Sequence, residues 1–245
     1  MSMKINKNHL FLLLSVSLVL FSSCSDSLSD TTDGRLRYWI STLASDEFEG
    51  RAPGTEGGKL TKNFISKTFQ DLSLDPVNGE YLHKVPASEI TLKDSSYLTL
   101  SFRGNDRKMI TGQEVVFWTK QAREYRKIRD SEVVFVGYGI VAPEYNWNDY
   151  EGIDVRGKTV VILVNDPGFA TGKLRLFNGR SMTYYGRWTY KFEEAARQGA
   201  AAAIIVHEEE PAAYPWSVVE NSWQGPQLDL QREDLGADRV ILEGW

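Results

Sequence analysis

Two runs of β-branched and aliphatic residues, at 133–136 and 159–164, constrain the fold of this chain more than any other feature. Each run is bounded by glycine, aspartate or charged residues, and continuous apolar runs of this length are typical of strands covered on both faces. A helical pattern begins at Thr189, the predicted N-cap, and stops at Gly199, before an apolar run at 200–206. The order strand, loop, strand, loop, helix, strand predicts a mixed α/β fold.

The earlier half of the chain favours helices followed by short strands. Apolar residues recur at helical spacing over 36–43 and over 60–72, which predicts two amphipathic helices. Residues 45–58 between them are rich in glycine and acidic residues and are predicted to form an exposed loop. Alternation over 97–102, followed by a turn at Gly104-Asn105, predicts a strand. We therefore expect an α/β (mixed α+β) chain with its helices first.

The first two dozen residues have the pattern of an export signal. Two lysines precede an apolar stretch over 10–21, which is shorter than the ~20 residues that cross a bilayer, and small residues lead to Cys24. The arrangement resembles a bacterial lipoprotein signal. It predicts a signal peptide at 1–23, lipidation of Cys24 and a solvated tether at 24–34, and hence an exported, membrane-anchored protein in the periplasm or at the cell surface. A simple cleaved signal followed by an unmodified cysteine is the alternative.

Composition argues against several classes of function. The chain has 245 residues and a formal net charge of −5, and no concentrated basic face is expected, so nucleic acid is not a predicted partner. A single cysteine excludes an intramolecular disulfide and a site of clustered thiolates. Packing must therefore stabilise the fold.

Three short motifs that carry chemistry in other proteins are incomplete here. Residues 137–142 match the dinucleotide pattern G-x-G-x-x-A, but no helix is predicted after them, which favours a glycine turn over cofactor binding. His207 begins the zinc pattern H-E-x-x-H, but its second histidine is replaced by Pro211, which favours a histidine at a strand end beside an acidic turn. Ser181 lacks the glycines of a hydrolase elbow.

Aromatic residues are concentrated in the predicted loops of the later half. Flat rings with polar tips suit the recognition of sugars or peptides. The alternative is that half or more of them only fix the loops onto the sheet. These residues are Tyr145, Trp147, Tyr150, Tyr184, Tyr185, Trp188, Tyr190, Tyr214, Trp216 and Trp223.

Several segments, taken in order, resemble one family of peptidases. Residues 44–55 (ASDEFEGRAPGT), followed by a long helix, are similar to the N-terminal segment of the zinc-dependent aminopeptidases of the twenty-eighth metallopeptidase family, relatives of glutamate carboxypeptidase and the transferrin receptor ectodomain. Residues 134–140 (VFVGYGI), 155–161 (VRGKTVV) and 186–191 (GRWTYK) resemble the protease-associated domain that is inserted in the larger members.

The resemblance implies a division into parts. Residues 35–115 correspond to the N-terminal, helical segment of a peptidase domain. Residues 116–245 correspond to a β-rich protease-associated domain with a β-loop-β-α-β core. Because a strand is predicted at 239–242, close to Trp245, we expect that domain to be incomplete and the chain to be a fragment of a longer protein.

The resemblance also implies an activity for the longer protein. In this family, two bridged zinc ions and a glutamate general base hydrolyse the N-terminal residues of peptide substrates. The family's zinc ligands and catalytic residues lie downstream of the inserted domain. The resemblance therefore implies no catalytic residue, metal ligand or cofactor in this segment, two zinc ions in the full-length protein, and no activity of the segment alone.

In this family the inserted domain forms a lid or side wall over the active site and helps to select substrates. The candidates for that wall here are Tyr184, Arg187, Trp188 and Tyr190. Of these, Arg187 would bind a carboxylate in a bidentate manner. The alternative is that Arg187 and Trp188 cap and pack the following helix. The alternative function for the whole chain is a noncatalytic surface lipoprotein that binds peptide or glycan through its aromatic loops.

Overall fold

The computed structural model describes residues 32–93 and 95–245. The predicted signal peptide, the lipidation site at Cys24 and most of the predicted tether lie outside the described residues. The chain divides into two compact units, one that ends at Lys84 and one that comprises Val85–Trp245. Each is described below by itself.

Two helices dominate the described part of the first unit. Helix α1 spans Thr32–Leu43 and α2 spans Glu56–Asp71, with a 3-10 helical turn at Asp46–Arg51 between them. Thr55 is the N-cap of α2, and its hydroxyl accepts a hydrogen bond from the Gly58 N–H at 3.1 Å. Both helices agree with the sequence prediction, although α1 begins early enough that the last three residues of the predicted tether are helical.

The connection at 45–58 is more tightly packed than the sequence predicts. Phe48 is buried, and its ring lies 6.1 Å from the ring of Phe64 on α2 in an edge-to-face arrangement. Gly57 is buried in the first turn of α2, where any side chain would collide with the backbone carbonyl of Phe48. The prediction of an exposed loop is therefore wrong at these positions, because glycine permits a close backbone approach. The acidic residues Asp46, Glu47 and Glu49 are exposed, as predicted.

A five-stranded sheet forms the centre of the second unit. Its order is β4-β11-β9-β8-β5, and every neighbouring pair is parallel except β11 with β4. The pairs β1-β10, β2-β3 and β6-β7 form small antiparallel sheets. The predicted mixed α/β class is confirmed. The strands are β1 (Ala87–Ile90), β2 (Leu98–Phe102), β3 (Asn105–Met109), β4 (Phe117–Trp118), β5 (Val133–Phe135), β6 (Val141–Ala142), β7 (Trp147–Asn148), β8 (Thr159–Leu163), β9 (Ala202–Val206), β10 (Gln227–Leu230) and β11 (Leu242–Gly244).

The core lies on β8 and β9, where Val160, Ile162 and Ile205 are fully buried. Four helices belong to this unit, and Phe192 and Ala195 pack into the core from the longest, α4. The continuous apolar run of β8 is thus explained by burial on both faces. The helices are α3 (Pro167–Thr171), α4 (Trp188–Arg197), α5 (Glu209–Ala212) and α6 (Trp216–Ser222).

Three predicted features of this unit are corrected. The run at 133–136 is not covered on both faces, because β5 is an edge strand on which Val133 and Phe135 are more than half exposed. Helix α4 has Arg187 and not Thr189 as its N-cap. The strand predicted at 239–242 begins only at Leu242, because residues before it form turns, in one of which the Arg239 N–H donates to Gly236.

The division at Lys84 differs from the predicted boundary at 115/116. The segment after Lys84 stays with the second unit because β1 pairs along its whole length with β10. Pairing between residues more than a hundred positions apart therefore sets this boundary.

Candidate functional site

The four predicted wall residues lie in the 3-10 turn Tyr184–Gly186 and the first turn of α4, but their side chains have different surroundings. Tyr190 is buried. Its hydroxyl accepts a hydrogen bond from the Val141 N–H at 3.1 Å and lies 3.3 Å from the Glu194 carboxylate. Tyr184 is exposed and donates to Glu193 at 3.0 Å. The structure therefore does not bring the four side chains together on one surface.

Trp188 lines a cleft that is built mainly from three tryptophans. The rings of Trp118 and Trp223 lie 4.5 Å apart at 85°, and the rings of Trp188 and Trp223 lie 6.3 Å apart at 68°. The cleft has a volume of about 330 Å³. We call it the tryptophan cleft. Its remaining lining residues are Lys120, Ser222, Gln227, Leu228 and Asp229.

Packing behind Trp188 fixes its position. Its ring makes edge contacts with Phe192 at 6.2 Å and with Trp245 at 6.0 Å, and both of these residues are buried. Trp188 itself is 37% exposed. Trp188 is therefore anchored to the core while part of its surface remains exposed at the cleft.

Charged groups lie at one side of the tryptophan cleft and behind it. The Lys120 ammonium lies 4.0 Å from the Asp229 carboxylate. The Trp118 indole N–H donates to Glu243 at 3.3 Å, and Glu243 is only 1% exposed. Burial raises the pKa of Glu243, while the Lys120 charge and the hydrogen bond from Trp118 lower it. A buried carboxyl group therefore holds the orientation of one cleft tryptophan.

Arg187 immediately precedes the cleft residue Trp188. Its backbone forms the N-cap of α4, but its side chain makes no capping hydrogen bond. The guanidinium is exposed and forms no ion pair or hydrogen bond with the described residues. The side chain is thus free for a ligand carboxylate, to which arginine binds in a bidentate manner.

Trp118 is the cleft tryptophan that the sequence analysis missed, and the polar lining residues Lys120 and Asp229 were not predicted either. Trp118 lies in a strand of two residues, too short to give a periodic pattern. The apolar run from Val115 to Trp118, which follows a glycine turn, is the signal that points to a strand there. Trp188 and Trp223 were among the aromatic candidates, whereas Tyr145 stacks on the buried Phe177 at 4.2 Å and fixes a loop.

The glycines at 137–142 form a turn, as the sequence predicts. Gly137 and Gly139 have φ of 62° and 60°, and a short strand, β6, follows them instead of a helix. A side chain at Gly139 would lie 3.0 Å from Ile162, so this glycine permits close packing on the sheet. The context of a dinucleotide site is absent from this turn.

His207 lies just after β9 and contacts aromatic residues. Its Nε2 lies 3.1 Å from the Tyr214 carbonyl oxygen, its Nδ1 is buried without a hydrogen-bond partner, and its ring packs beside Tyr214 and Trp216. The acidic residues 208–210 that follow are exposed. The prediction of a histidine at a strand end beside an acidic turn therefore agrees with the structure.

The family resemblance puts its zinc ligands outside this segment, and the described residues offer no alternative zinc site. Across 32–93 and 95–245, no group of three or more histidine, cysteine, aspartate or glutamate side chains is placed to hold a metal ion.

Comparison of the chain with models of known protein families, with curated proteins and with solved structures finds no match in any of the three. Within the described part of the chain, no helix has the length and apolar character that spanning a membrane requires.

Proposed function

We propose that this chain is the N-terminal part of an exported zinc-dependent aminopeptidase, anchored to a membrane through Cys24. In this proposal the unit Val85–Trp245 is the protease-associated domain that selects peptide substrates, and the zinc ligands belong to the remainder of the protein. The resemblance of the segments at 44–55, 134–140, 155–161 and 186–191 supports the family. The tryptophan cleft carries the recognition role.

The arrangement of the rings favours a peptide over a sugar as the ligand. The rings of Trp118 and Trp223 lie at 85° to each other, and those of Trp188 and Trp223 lie at 68°. The tryptophans therefore do not form a continuous flat platform on which a sugar ring stacks. A volume of about 330 Å³ lies at the small end of ligand pockets. These features suit the insertion of an apolar side chain from an extended peptide.

The polar groups near the cleft suit the charges of a short peptide. Lys120 and Asp229 offer one group of each sign at the cleft, and Arg187 adds a cation that has no partner among the described residues. We expect apolar peptides with an acidic side chain or a free carboxyl terminus to bind best.

Tryptophan fluorescence tests the recognition role. Pentapeptides with a central leucine or phenylalanine and a free carboxylate are titrated into the protein, and cellohexaose serves as the glycan ligand. We expect saturable peptide binding that Trp223→Ala weakens about tenfold or more, because centrally placed aromatic residues dominate binding sites. The control is Phe102→Ala, which removes an exposed ring on β2. Binding of the glycan alone would favour the noncatalytic lipoprotein.

Activity and metal content test the assignment to the family. A longer reading frame that encodes a His-x-Asp segment and a Glu-Glu pair should give an aminopeptidase that contains two zinc ions. The 245-residue protein alone should show neither stoichiometric zinc nor turnover of aminoacyl substrates. Robust hydrolysis by the 245-residue protein would contradict the proposal.

A further inference from the structure

The segment that follows the cleft residue Trp118 in the sequence is strongly basic, although the whole chain is acidic. Residues 120–129 contain five cationic side chains and one carboxylate, in a chain whose formal net charge is −5. The overall charge therefore hides a local excess of positive charge. The cations are Lys120, Arg123, Arg126, Lys127 and Arg129, and the carboxylate is Glu124.

Four of these five cations have no anionic partner. Lys120 approaches Asp229, but the side chains of the other four form no ion pair or hydrogen bond with the described residues. Several other arginines of the same unit are paired, as Arg156 is with Asp154 at 3.0 Å and Arg232 with Asp234 at 2.8 Å. Arg175 and Arg187 also have no partner among the described residues, but they stand singly, whereas residues 123–129 place four such cations within seven positions.

Arg126 is the least satisfied of the four. Its Nε atom is buried and has no hydrogen-bond partner. Partial burial lowers the pKa of Arg126, and the neighbouring charge of Arg123 lowers it further. The buried Nε–H of Arg126 therefore lacks an acceptor among the described residues, which costs free energy until an anion supplies one.

The two ends of the segment are fixed. The buried Gln121 side chain donates to the Arg239 carbonyl oxygen at 2.7 Å, and the Ala122 N–H donates to Leu235 at 3.1 Å. At the other end the Thr159 hydroxyl donates to Ser131 at 2.9 Å. The stretch that carries Arg123 and Arg126 is therefore attached to the rest of the unit at both ends.

We propose that Arg123 and Arg126 form a binding site for a phosphate dianion, either inorganic phosphate or a phosphate monoester. Two guanidinium charges match the charge of a dianion, whereas a single carboxylate leaves one of them uncompensated. The planar N–H forks of arginine suit the oxygens of phosphate. Lys127 and Arg129 add longer-range attraction. The site is independent of the proposed peptidase function.

Titration with inorganic phosphate at constant ionic strength, followed by calorimetry, tests the site. We expect saturable binding of one phosphate, which Arg126→Gln and Arg123→Gln each weaken at least tenfold. Arg126→Lys keeps the positive charge but loses the planar N–H fork of arginine. Its affinity for phosphate should therefore lie between those of the wild type and Arg126→Gln. Arg175→Gln is the matched control, since Arg175 is also exposed and forms no ion pair or hydrogen bond with the described residues, and this variant should bind phosphate as the wild type does.

The test remains decisive if the Arg126 variant folds poorly, because Arg123 is exposed and its side chain forms no ion pair or hydrogen bond with the described residues. A second experiment measures binding of the protein to vesicles of phosphatidylglycerol. Vesicle binding without saturable phosphate binding overturns the proposal and indicates a membrane-facing surface. Equal phosphate affinity of the wild type and Arg123→Gln, or no phosphate binding at all, also overturns it.

Discussion

The hydroxyl of Tyr190 lies 3.1 Å from both the backbone nitrogen and the backbone oxygen of Val141. A side chain of α4 thus satisfies backbone groups at the start of β6, as a neighbouring strand would. Tyr190 is 5% exposed, so this contact fixes the loop that follows the glycine turn onto the helix. One of the four predicted wall residues therefore has a structural role.

A matched pair of tyrosine substitutions tests that role. Tyr190→Phe should lower the free energy of unfolding by about 1–3 kcal/mol, because it leaves the backbone groups of Val141 unpaired. Tyr150→Phe should be neutral or slightly stabilising, because the Tyr150 hydroxyl is buried without a hydrogen-bond partner. Urea unfolding followed by circular dichroism measures both. Equal effects of the two substitutions would show that the contact with Val141 contributes nothing.

Lys191 should make stability depend on pH. Its ammonium is fully buried and donates to the carbonyl oxygens of Tyr138 at 2.6 Å and Asn165 at 2.8 Å. Burial lowers the pKa of Lys191 to about 7, although Asp149 and Asp166 oppose the shift. In the unfolded chain, lysine titrates near about 10.4. Between these values the unfolded state binds more protons, so the free energy of unfolding rises with pH.

The pH dependence is measured by urea unfolding from about pH 6.5 to about pH 9.5, below the ordinary pKa of tyrosine near about 10. Lys191→Met should remove the rise that the wild type shows over this range. Lys173→Met should keep it, since Lys173 is exposed. A variant at Lys191 with an unchanged slope would contradict the prediction.

Glu243→Gln should stabilise the protein at neutral pH. Burial raises the pKa of Glu243, so the folded state holds this proton more tightly than the unfolded chain does. The free energy of unfolding therefore falls as pH rises through the interval between the two pKa values. The amide oxygen of glutamine still accepts the hydrogen bond from Trp118, so the difference between variant and wild type should grow from pH 4 upward.

Thermal unfolding at pH 4 and pH 7 measures the effect at Glu243. Glu124→Gln is the control, because Glu124 is an exposed carboxylate without an ion pair among the described residues. A gain in stability of the Glu243 variant that is the same at both pH values would show that ionisation of this group is not the cause.

Arg187→Ala should weaken peptide binding without changing stability. The side chain makes no contact that holds the fold, so we expect a change of less than about 0.5 kcal/mol in the free energy of unfolding. Affinity for peptides with a free carboxylate should fall about three- to tenfold, and affinity for the same peptides with amidated ends should not. Arg175→Ala is the control. Equal losses for both peptide sets would argue against carboxylate binding by Arg187.

The features that the sequence predicts are those with a local cause. Helix α2 carries an apolar stripe within 60–72, and β8 is buried on both faces and so consists of β-branched and aliphatic residues. The turn at Gly137 and Gly139 requires left-handed backbone, which glycine adopts readily. In each case the pattern within about fifteen residues decides the structure.

The features that the sequence does not predict depend on distant contacts. The tryptophan cleft joins Trp118, Trp188 and Trp223, of which the first and last are more than a hundred positions apart. The burial of Tyr190 depends on Val141, 49 positions earlier. Strands of two or three residues, such as β4 and β11, are too short to show a period, and only their pairing defines them.

The position of β11 has a consequence for how this unit is made. Although β11 is the last strand along the sequence, it lies between β4 and β9, both of which precede it. During synthesis from the N-terminus, those two neighbours have no partner between them until residues 242–244 have left the ribosome. Unpaired strand edges attract other chains. We therefore expect nascent chains stopped before Leu242 to aggregate or to need a chaperone.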